Sequence, residues 1–531
     1  MKALTIFIPW VQLEEARVEA AVKYTIALVR NAGAGKINTV TATGQENNDS
    51  TRAARVIDQA ITGFSKLCSR CARALATPSA LKWMLSSLDP VSVMTLSPSS
   101  RVRLTEALCG VIARSESTDV ARQCVETVLS VTMQSLSSHA SNSFAEDGRM
   151  NVDSIDQVAA DFRVVSAALT RMQYVKPKAT GGASATSSGS KQEERRLVAT
   201  MTDSVWPLLV HVGTCVGNVV DSTVCATVAS TDLLPSLCQL SSVIVRTNGG
   251  QIDQYFTSNN ILLLLNMMGK MFVTYRHPKT LQPLGIVVSF FGSQPQWFEP
   301  LLNSLASIIG SVNSGGGSSN NNYDPELLSA TMTLIQQYTA RCPATLKHVQ
   351  ALELVFVFSV RALSSSQVEV STSAVRFFAS LAHTSRRLCL LQSSINGTGR
   401  VGEAALFSCV VAHGKSFLFS LLHGIGHQLP LDSVRRVVDT LALWNVPFRQ
   451  HFVAWANQII SDEQFVGATK LNLKGRNSFV LGLSTLQDSW SGGGGENVGH
   501  IDRLVMEEYR QLVFTFAAQC RGESLETVEN S

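Results

Sequence analysis

Charged side chains are scarce in this 531-residue chain, at 16% against a usual quarter or so. The 44 basic and 40 acidic residues leave a formal net charge of +4, close to neutral over such a length. No run of Lys and Arg extends beyond pairs such as Arg195–Arg196. A nucleic-acid-binding face needs a clustered basic patch or stripe, so composition gives no support for direct DNA or RNA contact.

Long apolar runs are missing as well. Ile261–Phe272 and Leu281–Phe291 are about a dozen residues each, short of the roughly 18 that a membrane span needs. They read as buried core helices, and no membrane insertion is expected. Met1–Trp10 holds an apolar stretch broken by Pro9, with no basic start, long apolar region or small-residue cleavage site; it is not read as a signal peptide. The 11 cysteines, an odd number, lie in apolar helical stretches such as those around Cys109, Cys124, Cys225 and Cys238 and show no disulfide spacing. They are expected to be reduced core residues of a cytosolic or nuclear protein. Strand alternation is scarce too, and the Val- and Phe-rich run Leu354–Val360 sits inside a longer apolar segment without turn signals.

What is present is apolar bulk with a helical period. Hydrophobic residues make up 45% of the chain, enough to exclude wholesale disorder. The length exceeds the roughly 250–300 residues at which one core stops growing, which leaves several domains or an elongated array. Val56, Ala60, Phe64, Leu67 and Cys71 fall on one helical face, as do Leu104, Leu108, Val111 and Ile112, and then Ala121, Val125, Val128, Leu129 and Met133. The same pattern predicts helices over Ile155–Thr170, Glu193–His211, Thr223–Val228, Leu234–Arg246, Ile261–Tyr275, Leu281–Phe291 and Pro300–Ser311. It continues over Glu326–Arg341, Val349–Leu363, Val368–His383, Glu403–His427, Leu431–Trp444 and Pro447–Ser461. Asp324-Pro325-Glu326 is a helix start, with Asp at the cap and Pro at the first position; Asp89–Pro90 and Cys342–Pro343 mark breaks.

Gly/Ser/Asn-rich segments at about 31–51, 177–190, 312–322 and 490–499 bury too little apolar surface to offset ordering and are expected to be mobile inserts. The helical pattern resumes after each. Pairs of helices recurring about every 40 residues predict stacked hairpins. The expected fold is therefore all-α, an α-solenoid of irregular HEAT-type hairpins over 1–531, with a large irregular bundle as the alternative.

No motif nominates an enzyme, a cofactor site or a metal site. Gly33-Ala34-Gly35-Lys36 lacks the earlier glycine and the following Ser or Thr of a phosphate loop, with Arg30 and Ile37 at those places. Cys68-x-x-Cys71 has no second pair at zinc spacing and reads as two core thiols. His423 and His427 have metal-pair spacing but no third ligand, and read as solvated residues at a helix end. Asn396-Gly397-Thr398 is a glycosylation acceptor only in a secreted chain. Trp206, Trp444 and Trp455 read as core, whereas Trp297, Phe298 and Trp490 are the candidates for exposed binding anchors.

Several segments, in order, resemble a known family. They are Arg101–Arg114, Asp203–Leu209, Ile261–Phe291, Pro325–Leu346, Ser371–His383 and Phe417–Trp455. In order and spacing they resemble the carboxy-terminal half of the importin-β (karyopherin-β) superfamily, in the transportin-three/importin-thirteen branch, over roughly residues 50–485. The resemblance implies a HEAT-repeat receptor that shuttles between cytoplasm and nucleus, with cargo proteins, nucleoporins and the Ran GTPase as partners. It implies cargo on a concave surface and Ran on an amino-terminal arch, most of which this chain is expected to lack. One feature departs from the branch. The segment matching its arginine-lined, phosphate-reading helix, Leu237–Arg246, offers only Arg246, which puts phosphorylated Ser/Arg-rich cargo in doubt. No residue is assigned to cargo binding. A HEAT-repeat scaffold for a regulatory complex and an enzyme with an unrecognised site are the competing functions.

Overall fold

The computed structural model describes residues 19–27, 46–88, 93–115, 117–143, 152–172, 187–248, 256–314, 324–342, 348–365, 367–392, 400–429, 431–445, 448–463, 465, 470–489 and 503–523. Among these no strand occurs. The chain divides into two compact units, Met1–Ile286 and Val287–Ser531.

The first unit contains α1 (Glu46–Arg70), α2 (Pro78–Ser86), α3 (Pro98–Ile112), α4 (Thr118–Ser143), α5 (Val152–Met172), α6 (Ser187–Gly217), α7 (Ser222–Ser230), α8 (Leu233–Thr247) and α9 (Ser258–Tyr275). Alternate helices are neighbours. One row runs α1, α3, α5, α8 and a second runs α2, α4, α6, α9, with α7 inserted beside α8 and α9. A helix with one apolar stripe cannot cover it alone, and packing against the next-but-one helix on each side builds a continuous core. The last helix of the first row is closely enclosed. On α8, Leu233, Leu234, Leu237, Cys238, Leu240, Ile244 and Val245 are all fully buried. The bent pair α7 and α8 is long and apolar enough for a membrane span by composition, and no single described helix is; α8 packs against α5 within this unit.

α10 (Leu281–Phe291) contains the division between the units. The second unit continues with α11 (Phe298–Ser314), α12 (Pro325–Arg341), α13 (Val349–Leu363), α14 (Val368–Gln392), α15 (Arg400–His423), α16 (Leu431–Asn445), α17 (Arg449–Ile460), α18 (Leu473–Ser489) and α19 (Arg503–Arg521). It repeats the two-row pattern, with α12, α14, α16, α19 in one row and α11, α13, α15, α17, α18 in the other. The fold is an all-α solenoid.

Local chemistry sets the helix ends. Thr77, Ser97 and Asp324 each precede a proline at the first helical position and accept a backbone N–H, from Ala80 at 3.4 Å, Ser100 at 3.3 Å and Glu326 at 3.0 Å. These bonds satisfy donors that the first turn leaves free. α9 stops at Arg276, held in the left-handed region at φ 49° ahead of His277-Pro278. α15 stops differently, in a π-helical turn over Gly424–Gln428. Two of its carbonyl neighbours are held by Arg521, whose guanidinium donates to Ile425 O at 2.8 Å and Leu429 O at 2.5 Å.

The insert boundaries differ from expectation. α1 already begins at Glu46 and α6 at Ser187, because Ser, Asn and acidic residues are favourable in and before a first turn, where free N–H groups seek acceptors; α11 runs on to Ser314. The rest of those inserts, all of 490–499 and the break at Asp89–Pro90 lie outside the described residues.

Candidate interaction surface

The two rows of the second unit present different chemistry. Exposed charges on the α12 row are mixed in sign, as in Glu326, Glu369 and Glu507 beside Arg341, Arg376 and Arg435. Its one exposed large apolar side chain among the described residues is Val368, the first residue of α14. On the other row Leu354 of α13, Val411 of α15, and Leu473 and Leu481 of α18 are exposed, the last two at 70% and 69%. Leu473, Asn477, Leu481 and Thr485 follow one another at four-residue spacing and are all exposed, so they form one stripe of α18.

Neighbouring helices of that row are joined near the same turns. His413 Nε2 of α15 lies 2.9 Å from Glu353 Oε1 of α13. One residue on, Gly414 lets the Trp455 indole of α17 come against the α15 backbone. Isolated exposed apolar residues are ordinary, whereas apolar residues gathered on one face mark an interaction surface. The first unit has a smaller counterpart on α9, where Leu262, Asn266, Lys270 and Val273 share the exposed face.

Among the described residues, those singled out by motif do not assemble a reactive site. Cys68 and Cys71 are buried free thiols, and burial, with Cys71 second, drives the Cys68 thiol well above its ordinary range. Burial pushes Cys109, Cys238, Cys409 and Cys520 up to about 12. Such thiols are not nucleophiles at neutral pH. No three metal-ligating side chains converge among the described residues. The histidine pair is solvated only in part: His427 is exposed, but His423 is half-buried and stacked on Phe419 with ring centroids 5.8 Å apart. Burial, then the neighbouring His427, lower its pKa. Gly33–Lys36, Asn396–Thr398 and Trp490 lie outside the described residues.

Two expectations about aromatics are corrected. Trp297 is no exposed anchor; it is buried, because the 3-10 turn Pro295–Trp297 folds its ring back onto Phe291 at 6.0 Å, and Phe298 is half-buried. Trp444 is a core residue, in a cluster with Phe356 and Phe417, and its indole N–H donates to Phe378 O at 3.1 Å. Trp206 and Trp455, in contrast, are half-buried, the first edge-on to Phe256 and the second stacked on His451. The segment matched to an arginine-lined helix lies in α8, where only Gln239 and Arg246 of Leu237–Arg246 are exposed. A helix enclosed this far has no free face for an arginine row.

Sequence reasoning missed the main buried polar cluster. Asp161 accepts from Arg101 Nη1 at 2.9 Å, Ser135 Oγ at 2.7 Å and Gln157 Nε2 at 3.0 Å, linking α3, α4 and α5. Burial lifts its pKa, and Ser135, Arg101 and Gln157 pull the other way. The available signal was an acid between Ala160 and Phe162 in an apolar stretch.

No family model and no curated protein sequence matches the chain. Among solved structures, one described as "Importin13 cytosolic state" superposes with a TM-score of 0.60 at 13% identity. The match covers 98% of this chain and 52% of that one, so the chain spans about half of that structure's length. A circular tandem repeat protein aligns at a TM-score of 0.25 and 10% identity, too low to carry an argument. Helix pairing and superposition agree on the architecture: this chain has an all-α solenoid fold similar to that of the structure described as an importin.

Proposed function

We propose that the chain is the carboxy-terminal part of a nuclear transport receptor of the importin-β type, in the transportin-three/importin-thirteen branch, without enzymatic activity. In this reading it holds protein cargo on the helical row that carries the exposed apolar side chains, contacts nucleoporins, and shuttles between cytoplasm and nucleus under Ran control. The carrying observation is the superposition over 98% of the chain on a structure named as an importin.

Stacked hairpins suit such work without an active site. Each touches only its neighbours, so small rotations per repeat add up to a change in curvature. A GTPase bound at one end then alters cargo affinity elsewhere through a coupling free energy of about 1–3 kcal/mol. The match spans 52% of the importin structure; this chain supplies the cargo half, and Ran acts mainly through the other half of the complete receptor. The enclosure of α8 leaves no arginine fork on Leu237–Arg246, so the cargo is of a class other than phosphorylated Ser/Arg-rich segments.

Affinity capture from cell extract, with and without excess GTP-loaded Ran, tests this reading. Recovery of nuclear proteins and nucleoporins, released by Ran, is the expected result. Capture of a stable phosphatase or ligase complex indifferent to Ran assigns the chain to the scaffold class instead.

A further inference from the structure

One face of α1 is basic. From residue 50 to residue 88 the chain has six bases, Arg52, Arg55, Lys66, Arg70, Arg73 and Lys82, against one acid, Asp58. Arg55, Gln59, Thr62, Lys66, Arg70 and Arg73 follow one another at three- and four-residue spacing, which puts them on one stripe. The one-turn helix Ala72–Leu75 carries the stripe past the end of α1. Cys71 N donates to Leu67 O at 2.8 Å and Leu75 N to Cys71 O at 3.1 Å, so helical bonding crosses the junction. The four bases of the stripe are exposed, and among the described residues none of them is in an ion pair. Nearby acids are few or engaged. Asp58 is held by Arg103 of α3 at 2.8 Å. α1 packs against Ala72–Leu75, which has no acid, and against α3, whose Glu106 lies 3.7 Å from Arg171. Glu46 and Asp49 lie in the first turn of α1, at the far end from Lys66 and Arg70. The negative end of the helix dipole favours a cation within the last turn; that accounts for Arg70 but not for Arg55, about four turns earlier.

We infer that this stripe takes an acidic segment of a partner protein, its Asp and Glu carboxylates on Arg55, Lys66, Arg70 and Arg73. Charge complementarity selects the occupant, and three of the four cations are arginines, whose planar forks match carboxylates. Nucleic acid fits less well. Single strands are bound with aromatic stacking platforms, and the stripe has no aromatic residue. A duplex carries one charge per about 1.7 Å, so four cations over about 27 Å of helix leave most phosphates unanswered. An anionic bilayer is also the weaker match, because a helix lying on lipid buries an apolar face. Among the described residues of α1, α2 and α3 no large apolar side chain is exposed. The stripe belongs to the first unit, apart from the row to which cargo is given above, and the inference does not rest on the transport function.

The experiment uses the full chain and a fluorescein-labelled peptide of about 20 residues in which Glu and Ser alternate, so that carboxylates recur about every 7 Å when it is extended. The comparison probes are the same peptide with Lys for Glu, an oligouridylate of equal length, and phosphatidylserine/phosphatidylcholine vesicles. The acidic peptide is expected to bind most tightly of the four and to weaken as salt rises. Lys66→Ser, Arg70→Ser and Arg73→Ser together are expected to cost it about tenfold, as three exposed ion pairs would. Lys66→Gln alone, inside α1 and exposed, is expected to cost about threefold without moving the melting temperature. Arg246→Ser, Lys270→Ser and Lys279→Ser together remove the same charge from other exposed sites of the first unit and are expected to leave affinity nearly unchanged. Equal loss in the two triple variants reduces the effect to net charge and overturns the assignment. So does tighter binding of the oligouridylate or the vesicles, or no binding of the acidic peptide at low salt.

Discussion

The Arg101 guanidinium donates to the Asp161 carboxylate at 2.9 Å, tying α3 to α5 across 60 residues of sequence, with both side chains buried. Ser135 of α4 completes the contact from the third helix. Removing one member strands the other in a site that water does not reach. Arg101→Met is expected to lower stability by about 3–5 kcal/mol, whereas adding Asp161→Leu recovers most of that loss, because well-packed apolar residues replace a buried pair at little cost. Urea denaturation of the two variants checks this, and an equal loss in both would show that the pair is not the coupled unit.

His423 makes stability depend on pH. Its folded pKa lies below the ordinary histidine value, first through burial and second through His427. As pH falls, the unfolded chain takes up this proton before the folded one does. The site's contribution is complete above about 6.5 and is lost as pH falls through the lower folded pKa. Between about pH 7.5 and about pH 5, the melting temperature of the unmodified chain is expected to fall more steeply than that of His423→Gln. In an NMR titration His427→Gln is expected to raise the His423 pKa, and an unmoved value would remove His427 as a cause.

Arg521 closes the π-helical turn after α15 through Ile425 O and Leu429 O. A hydrogen bond to a charged group contributes about 1.5–3 kcal/mol, and an orphaned carbonyl costs a similar amount. Arg521→Ala is expected to accelerate amide hydrogen exchange over 424–429 by an order of magnitude or more. Arg521→Lys keeps the charge but not the planar fork that reaches two acceptors, and is expected to restore less than half of the protection.

Glycines mark where helices of one row approach closely. A Cβ at Gly414 would enter the Trp455 ring, and one at Gly213 would meet the thioether end of Met267. The indole is rigid, whereas a methionine readily changes shape. Gly414→Ala is expected to cost about 1–3 kcal/mol, the range for overpacking, and Gly213→Ala markedly less. Thermal denaturation of the two variants ranks them, and the reverse order would show that α15 and α17 separate at little cost.

Much of the local structure is legible in the chain. Leu281–Phe291 and Val349–Leu363 have the same ends by periodicity and in the structure, and Asp324-Pro325 starts α12 as its chemistry demands. Periodicity does less well where a helix outlasts its apolar pattern. α14 runs to Gln392 rather than His383, and α5 reaches from Val152 to Met172, because helical hydrogen bonds carry across polar residues once a helix has nucleated.

Helix class and those helix ends that carry their own cap chemistry follow from the sequence by itself, since the forces behind them act within one or two turns. Tertiary structure alone decided that α3 meets α5 and α13 meets α15, that Trp297 turns inward, that α8 is enclosed apart from Gln239 and Arg246, and that the exposed leucines of the second unit share a row. These outcomes depend on packing between side chains tens of residues apart. An apolar side chain on a helical stripe reads the same whether another helix covers it or it is left for a partner.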